Sequence, residues 1–312
     1  MHSKRALDRV HRRIFNLFYK VKKINEPSEL EKKLINELKK NIERLPDIEI
    51  SSSNVIEAWN NNKRLLRKMI LENDPRNFLN WKVIQDTMFY EPDIKELKYI
   101  KKHKNFDILK KAIIESKIGN PKPFYALKYS SGNLIHHAYS LLQCFDNIED
   151  VKDYSRIIEF GGGYGSMCRL CNNLGFNKEY IIFDLEEFNL LQKYFLKSIG
   201  LNNIELNQSK GNNNFVGLIN NLQSMENICR KNNGKTLFIS TWSVSEVDLE
   251  LRDKIFDIIA PNTYLIAYQN YFNGIDNIKY FKKIRLVKNN YKWDDYEISH
   301  LKNNRYLIGH KV

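Results

Sequence analysis

A glycine-rich turn between an apolar run and an amphipathic stretch constrains the fold more than any other feature of this 312-residue sequence. The run Arg156–Phe160 is typical of a buried strand, and Gly161, Gly163 and Gly165 follow it before a helix-forming segment. Glycine adopts positive φ without a Cβ clash, so such a loop can approach a bound molecule closely. A strand, a glycine turn and a helix in this order are typical of nucleotide-binding α/β folds.

The two halves of the sequence have different hydrophobic patterns. Up to about residue 150, apolar residues recur at helical spacing between polar breaks. Beyond it, short apolar runs alternate with amphipathic stretches, which is typical of βαβ units. We therefore predict a helical region over 1–150 and an α/β domain over 151–312. The domain is expected to hold a mostly parallel seven-stranded sheet, helices on both faces and an antiparallel C-terminal hairpin.

The predicted elements of the second half follow from these runs. Strands are expected at 156–160, 180–184, 203–206, 236–240, 263–269, 295–301 and 306–312. Helices are expected near 166–174, 187–199, 216–230 and 247–259. The polar segment 302–305 is expected to turn the hairpin, and His300 is expected to pack or turn there without a catalytic role.

The net charge of +13 is concentrated at the start of the chain. Residues 1–23 hold eight Lys or Arg against one Asp, with apolar residues at helical spacing, which indicates a basic amphipathic helix. This helix is expected to dock on the protein core or on a second subunit, in preference to an anionic membrane face. A homo-oligomer is therefore one of the possibilities. The sequence has no recognisable strip of basic and aromatic residues, so a nucleic-acid partner is not expected. The lack of a long apolar segment or a secretory signal predicts a cytoplasmic protein, peripheral at the inner membrane face in the alternative case.

Acidic residues accompany the glycine turn. Glu159 precedes Gly161 by two residues, and Asp184 ends the next predicted strand, 19 residues beyond Gly165. An acid at about this distance binds a ribose in related folds. The motif resembles the first motif, E/DxGxGxG, of the Rossmann-like S-adenosylmethionine methyltransferases. That resemblance implies S-adenosylmethionine as cofactor, with Glu159, Gly161, Gly163, Gly165 and Asp184 binding it.

Three further segments narrow the resemblance. Residues 184–196, 240–246 and 306–309 are similar to segments of the sugar O-methyltransferase family. The resemblance implies methyl transfer to a sugar hydroxyl of a nucleotide-linked or lipid-linked glycan precursor, in surface polysaccharide biosynthesis, with the helical region as a cap over the acceptor side. The alternatives are an RNA or small-molecule methyltransferase, and a non-catalytic cofactor-binding scaffold in a glycan assembly complex.

The segment after the fourth predicted strand is expected to bind the acceptor. Trp242 and Ser243 suit a carbohydrate, because an aromatic ring stacks on a sugar face while hydroxyls bind hydroxyls. Tyr271, which follows the fifth predicted strand, is a further candidate for contact with the acceptor.

A neutral hydroxyl acceptor needs a base to take its proton. Glu246 is the first candidate, since it lies at the end of the loop after the fourth strand, although Ser245 and Asp248 could form a capping box that makes Glu246 an ordinary first-turn acid. His136 and His137 are the second candidates, with a core or solvent-facing histidine as the alternative.

The sequence does not decide whether the protein uses a divalent metal ion. Asp184, Glu186, Glu187 and Glu246 are conceivable magnesium ligands, but their spacing does not define a site. Cys168 and Cys171 form a CxxC without a second pair, so we expect them to be packing residues.

Overall fold

The computed structural model describes residues 13–15, 17–89, 93–210, 213–231 and 234–312. Most of the basic helix predicted over 1–23 lies outside these ranges. Within the described part of the chain, no helix is both long enough and apolar enough to span a membrane.

Short helices build the first part of the chain. They are α1 (Glu29–Glu43), α2 (Asn54–Glu72), a 3-10 helix (Pro75–Asn80), α3 (Lys82–Met88), α4 (Ile94–Lys102) and α5 (Phe106–Ala112). Side-chain caps fix where four of these six helices begin. The Ser28 side chain accepts from the Glu31 backbone while the Glu31 carboxylate binds the Ser28 N–H, a capping box that starts α1. Asp93 caps α4 by accepting from the Lys95 N–H.

A short hairpin and a buried helix connect this region to the α/β domain. The hairpin pairs β1 (Pro123–Phe124) with β2 (Leu127–Ser131), and α6 (Gly132–Cys144) follows directly. Ser131 caps α6 by accepting from the Leu134 N–H. A 3-10 helix (Ile148–Asp153) then leads into the sheet.

The α/β domain alternates strands and helices. Its strands are β3 (Arg156–Phe160), β4 (Glu179–Phe183), β5 (Ile204–Leu206), β6 (Phe215–Ile219), β7 (Thr236–Thr241), β8 (Thr263–Gln269), the short pair β9 (Tyr271–Phe272) and β10 (Ile275–Asp276), β11 (Tyr291–Glu297) and β12 (Asn304–Lys311). Its helices are α7 (Ser166–Asn173), α8 (Glu186–Ser198), α9 (Leu222–Arg230), α10 (Leu249–Ile258) and α11 (Asn277–Val287).

The main sheet has the order β11-β12-β8-β7-β3-β4-β6-β5. The six strands from β8 to β5 are parallel, while β12 pairs antiparallel with both β8 and β11. Alternate residues of β3 enter different cores: Ile157 packs with residues of α7 and α8, and Ile158 packs with residues of α9, α10 and α11. Helices therefore cover both faces, and the predicted fold class is confirmed.

Two details of the predicted sheet were wrong. The segment Phe215–Ile219, predicted as the start of a helix over 216–230, is a fully buried strand, so the sheet has eight strands. A short apolar run has no periodicity that separates a buried strand from a buried helix. The first hairpin strand is Tyr291–Glu297 and not 295–301, which places His300 in the loop before β12.

The strand order reverses beside β3. On one side of β3 lie β4, β6 and β5, in that order across the sheet. The chain then crosses back and places β7 and β8 on the other side of β3. The carboxyl ends of β3, β4 and β7 therefore border a crevice of the kind in which open α/β sheets bind ligands. Leu66, Phe78 and Leu97 of the helical region belong to the same core as Ile157. The helical region thus packs on the sheet beside this crevice.

Candidate functional site

A cavity of about 610 Å³ opens at the carboxyl ends of β3, β4 and β7. The glycine turn forms its floor, and residues of α2, α3 and α6 from the first half of the chain form much of its wall. Its lining includes Glu159, Asp184, His136, His137 and Glu246. The structure thus brings together the carboxylates, the histidines and the glycine turn that the sequence predicts separately.

The glycine turn is fixed on both sides. Gly161 has φ +75° and donates its N–H to the Phe183 carbonyl at 2.8 Å, which ties the turn to the end of β4. The Ser243 hydroxyl donates to the Gly161 carbonyl at 3.2 Å, which ties the turn to the loop after β7. A Cβ at Gly161 would overlap the Ser243 side chain. Gly161 is therefore required both for its backbone conformation and for this close approach.

Glu159 lies at the carboxyl end of β3 and is buried. Its Oε2 accepts a hydrogen bond from the Tyr180 hydroxyl at 2.8 Å. Burial raises the pKa of Glu159 to about 8, and the nearby Asp184 carboxylate raises it further against the effect of the Tyr180 hydrogen bond. A cationic group in the cavity would favour the ionised form of Glu159.

Asp184 follows β4 and faces the glycine turn. Its Oδ1 accepts from the Leu185 N–H and its Oδ2 from the Gln192 amide, both at 2.8 Å. Burial raises the pKa of Asp184 to about 7 although these hydrogen bonds oppose the shift. The Gln192 amide also donates to the Gly163 carbonyl at 2.9 Å, which connects the acid to the turn.

The turn and its two acids fit a cofactor that carries a positive charge and vicinal hydroxyls. Two carboxyl groups with raised pKa values line one cavity, so a cationic ligand would stabilise both ionised forms. Gln192 Oε1 is buried without a hydrogen-bond partner and can accept from a hydroxyl beside Asp184. At Gly163, an added Cβ would lie 3.5 Å from Met88 Cγ, and both residues line the cavity.

Trp242 begins the loop after β7 in a strained conformation, with φ +70° and ψ −39°. Its N–H donates to the Ala267 carbonyl at 2.7 Å, and its indole Nε1 donates to Asn304 Oδ1 at 2.6 Å. The indole ring lies 5.0 Å from the His136 ring, and Trp242 and Ser243 both line the cavity. Tyr271, in contrast, is 65% exposed and lies outside the cavity lining.

Glu246 lies on the same loop and lines the cavity. Its Oε1 accepts one hydrogen bond, from the Gln269 amide at 3.1 Å, and burial raises its pKa. Helix α10 begins only at Leu249, where Asp248 is the N-cap. The Ser245 hydroxyl donates to the Trp242 carbonyl instead of capping a helix. Glu246 therefore ends a 3-10 helix (Ser243–Glu246) and does not lie in the first turn of α10, so the capping-box alternative is wrong.

The two histidines of α6 have different surroundings. His136 is buried, and its Nδ1 lies 2.9 Å from Glu96 Oε1 of α4. Burial lowers the pKa of His137 to about 3, and the neighbouring His136 lowers it as well. His137 therefore stays neutral at physiological pH and is a weak base. Of the two, His136 has the hydrogen bond that orients an imidazole for proton transfer.

Sequence reasoning missed Glu96 and the contact that His300 makes with it. Glu96 lies in a helix without a recognisable motif, and its position beside His136 depends on how α4 packs on α6. His300 packs in the turn before β12, with its Nε2 2.7 Å from the same Glu96 oxygen and its side chain 1% exposed. No local pattern links residues this far apart in the chain.

The conceivable metal ligands do not converge. Glu187 is buried in ion pairs with Arg67 and Lys63 of α2, while Glu186 is exposed. Among the residues described, no group of three or more His, Cys, Asp or Glu side chains is placed to hold a metal ion. Both thiols of the CxxC are buried, which raises their pKa values and agrees with a packing role.

No protein-family model matches the chain, and no curated protein matches it. Solved structures similar to the chain include a methyltransferase from Pyrococcus furiosus, with 17% identity, a TM-score of 0.37 and coverage of 70% of this chain and 97% of that one. A precorrin-6Y C5,15-methyltransferase from Geobacter metallireducens has 11% identity, a TM-score of 0.38 and coverage of 64% and 99%. An rRNA methylase from Streptococcus thermophilus has 17% identity, a TM-score of 0.35 and coverage of 53% and 94%. TM-scores this low support no inference about activity or substrate.

Proposed function

We propose that the chain is an S-adenosylmethionine-dependent methyltransferase that acts on a hydroxyl group of a sugar. The observation that carries the proposal is the cavity in which a fixed glycine turn, two carboxyl groups and an oriented histidine meet at the carboxyl ends of the strands. Open α/β sheets bind nucleotide-type cofactors at this place.

The floor of the cavity would hold the cofactor. Asp184 would accept hydrogen bonds from the ribose hydroxyls, Gly161 and Gly163 would let the cofactor lie against the backbone, and Glu159 would face its positively charged part. When bound, S-adenosylmethionine would supply an electrophilic methyl group for transfer from its sulfur to the acceptor oxygen. The chain itself has to orient the acceptor and take its proton.

The upper wall would hold the acceptor. Trp242 offers an aromatic face, and Ser243 and Glu246 offer polar atoms beside it. The described lining holds the acidic side chains of Asp86, Glu159, Asp184, Glu246 and Asp248 and no Lys or Arg. Carboxylates repel phosphate groups, so an uncharged sugar suits this cavity better than the phosphodiester backbone of RNA. A phosphate or lipid carrier of the sugar would stay outside the cavity.

His136 is the group that would take the proton. The hydrogen bond to Glu96 orients the His136 ring. Glu246, whose pKa is raised by burial, has one hydrogen bond, which it accepts from the Gln269 amide. We therefore assign Glu246 to binding of the acceptor hydroxyls and proton transfer to His136, reversing the order that the sequence favours.

Calorimetric titration with S-adenosylhomocysteine tests the proposed cofactor and its pH dependence. In the free protein, burial opposes ionisation of Glu159 and Asp184, whose pKa values are about 8 and about 7. The cationic amino group of S-adenosylhomocysteine favours the ionised forms. Affinity should therefore rise between about pH 6 and pH 8.5, as both acids become ionised. NAD and ADP-ribose serve as controls. Binding of NAD alone, or of none of the three, would contradict the proposal.

Replacement Glu246→Gln tests the role of this carboxylate. The amide keeps the size and one acceptor atom, so we expect the KM for the acceptor to rise about tenfold, kcat to change only a few-fold and affinity for S-adenosylhomocysteine to stay unchanged. The assay measures S-adenosylhomocysteine released over a panel of methyl hexopyranosides and nucleotide sugars. A loss of kcat above about 100-fold would instead assign proton transfer to Glu246.

A further inference from the structure

A buried carboxylate joins three segments that are distant in the sequence. Glu96 of α4, His136 of α6 and His300 of the loop before β12 meet around Glu96 Oε1. The distances to this oxygen are 2.9 Å from His136 Nδ1 and 2.7 Å from His300 Nε2. Each of the three side chains is at most 2% exposed. The arrangement couples the cavity wall to two groups that do not line the cavity.

The surroundings of Glu96 favour its ionised form. Burial opposes ionisation, but His136 and His300 outweigh it and hold the pKa of Glu96 below its ordinary value. Glu96 also lies in the first turn of α4, where the helix dipole stabilises negative charge. An ionised carboxylate is only an acceptor, so each imidazole must donate an N–H to it.

This hydrogen bond determines the tautomer of His136. Because Nδ1 donates to Glu96, the lone pair that can take a proton belongs to Nε2. We propose that Glu96 is the positioning residue for proton transfer, holding His136 as the Nδ1–H tautomer and stabilising the imidazolium, and that His300 moderates its charge. The inference rests on the proposed function. In the step itself, the proton leaves the acceptor oxygen for Nε2 as the C–O bond forms, and the cofactor sulfur keeps the electron pair of the broken C–S bond.

His300 shares the oxygen that His136 uses. A second N–H donor on the same oxygen offsets part of the carboxylate charge that faces His136. The other titratable groups facing the cluster are His137, Tyr139 and Tyr306. His137 is neutral because its pKa is about 3. Burial raises the pKa of Tyr139 to about 12, and burial also raises the pKa of Tyr306. His137 and the two tyrosines therefore add no charge to the cluster near neutral pH.

The test reads the imidazoles directly and needs no acceptor. Long-range ¹H–¹⁵N spectra of the full chain, labelled at its seven histidines, distinguish protonated from unprotonated ring nitrogens, and His136→Gln and His300→Gln assign the signals. We expect His136 with Nδ1 protonated and Nε2 unprotonated. Glu96→Gln should lower the midpoint of the His136 titration by about 1 to 3 pH units, because an opposite charge is lost.

Substitutions at His300 should act in the opposite direction. His300→Phe removes the second donor, so the midpoint of the His136 titration should rise, while His300→Gln keeps an amide donor and should stay near the parent value. A purely structural cluster would not give shifts of opposite sign. An Nε2–H tautomer of His136 in the parent chain, or an unchanged midpoint in Glu96→Gln, would overturn the inference.

Controls separate folding and cofactor binding from the proposed role. Glu179→Gln removes another buried carboxylate, paired with Arg156 at the other end of the strands, and should leave the His136 midpoint unchanged. Should Glu96→Gln fail to fold by circular dichroism, Glu96→Asp keeps the charge but withdraws it, and a smaller downward shift is expected. Calorimetry with S-adenosylhomocysteine on the same samples distinguishes the two failures. If S-adenosylhomocysteine does not bind but His136 has the expected tautomer, only the proposed function is contradicted. If S-adenosylhomocysteine binds but His136 has the other tautomer, only this inference is contradicted.

Discussion

Replacement of His136 by Gln is expected to lower kcat by about 100-fold to 10,000-fold, the range that general bases contribute. Glutamine fills a similar volume and can bind Glu96, but it has no group that takes a proton near neutral pH. Affinity for S-adenosylhomocysteine should stay within about twofold, because His136 packs beside Trp242, whereas the groups proposed to bind the cofactor are the glycine turn and Asp184. The measurement compares kcat and KM with the calorimetric affinity for each variant.

His137→Gln is the matched control for this prediction. His137 neighbours His136 on α6 and lines the same cavity, but its pKa of about 3 makes it a weak base. We expect kcat to fall less than about tenfold in this variant. Equal losses in the two variants would assign the effect to repacking of α6 and would contradict proton transfer to His136.

The sequence predicted the floor of the site better than its wall. The glycine turn and the acids at the carboxyl ends of β3 and β4 are local signals, since each lies within a few residues of a strand end. Parallel strands bring such ends to one edge of the sheet, so the meeting of Glu159 and Asp184 follows from the topology. Their raised pKa values depend on burial, which no spacing reports.

The wall depends on packing between distant segments. Glu96 reaches His136 because α4 packs on α6, and His300 reaches Glu96 from the loop before β12. The predicted hairpin began four residues late, and this error placed His300 in a strand. The strand Phe215–Ile219 was missed for a related reason, since its apolar run has no period that separates strand from helix. Tertiary contacts decide both cases.

Replacement of Asp184 by Ala is expected to weaken binding of S-adenosylhomocysteine about 30-fold. The change removes charge-assisted hydrogen bonds from the carboxylate to the ribose hydroxyls, which are worth about 2 kcal/mol. Asp184→Asn should cost less, about tenfold, because the Leu185 N–H keeps its acceptor and Gln192 can turn its unpartnered Oε1 toward the new amide. Calorimetry at pH 8 measures both variants.

The control for Asp184 is Asp86→Asn. Asp86 also lines the cavity, but its carboxylate pairs with Lys82 on the exposed side of α3, so the affinity should stay within about twofold. Below about pH 7 the parent carboxyl is itself protonated, given its pKa of about 7, so the difference between parent and Asp184→Asn should shrink from pH 8 to pH 6. An equal difference at both pH values would mean that Asp184 acts through packing of the turn, and unchanged affinity at pH 8 would contradict its assignment to the ribose.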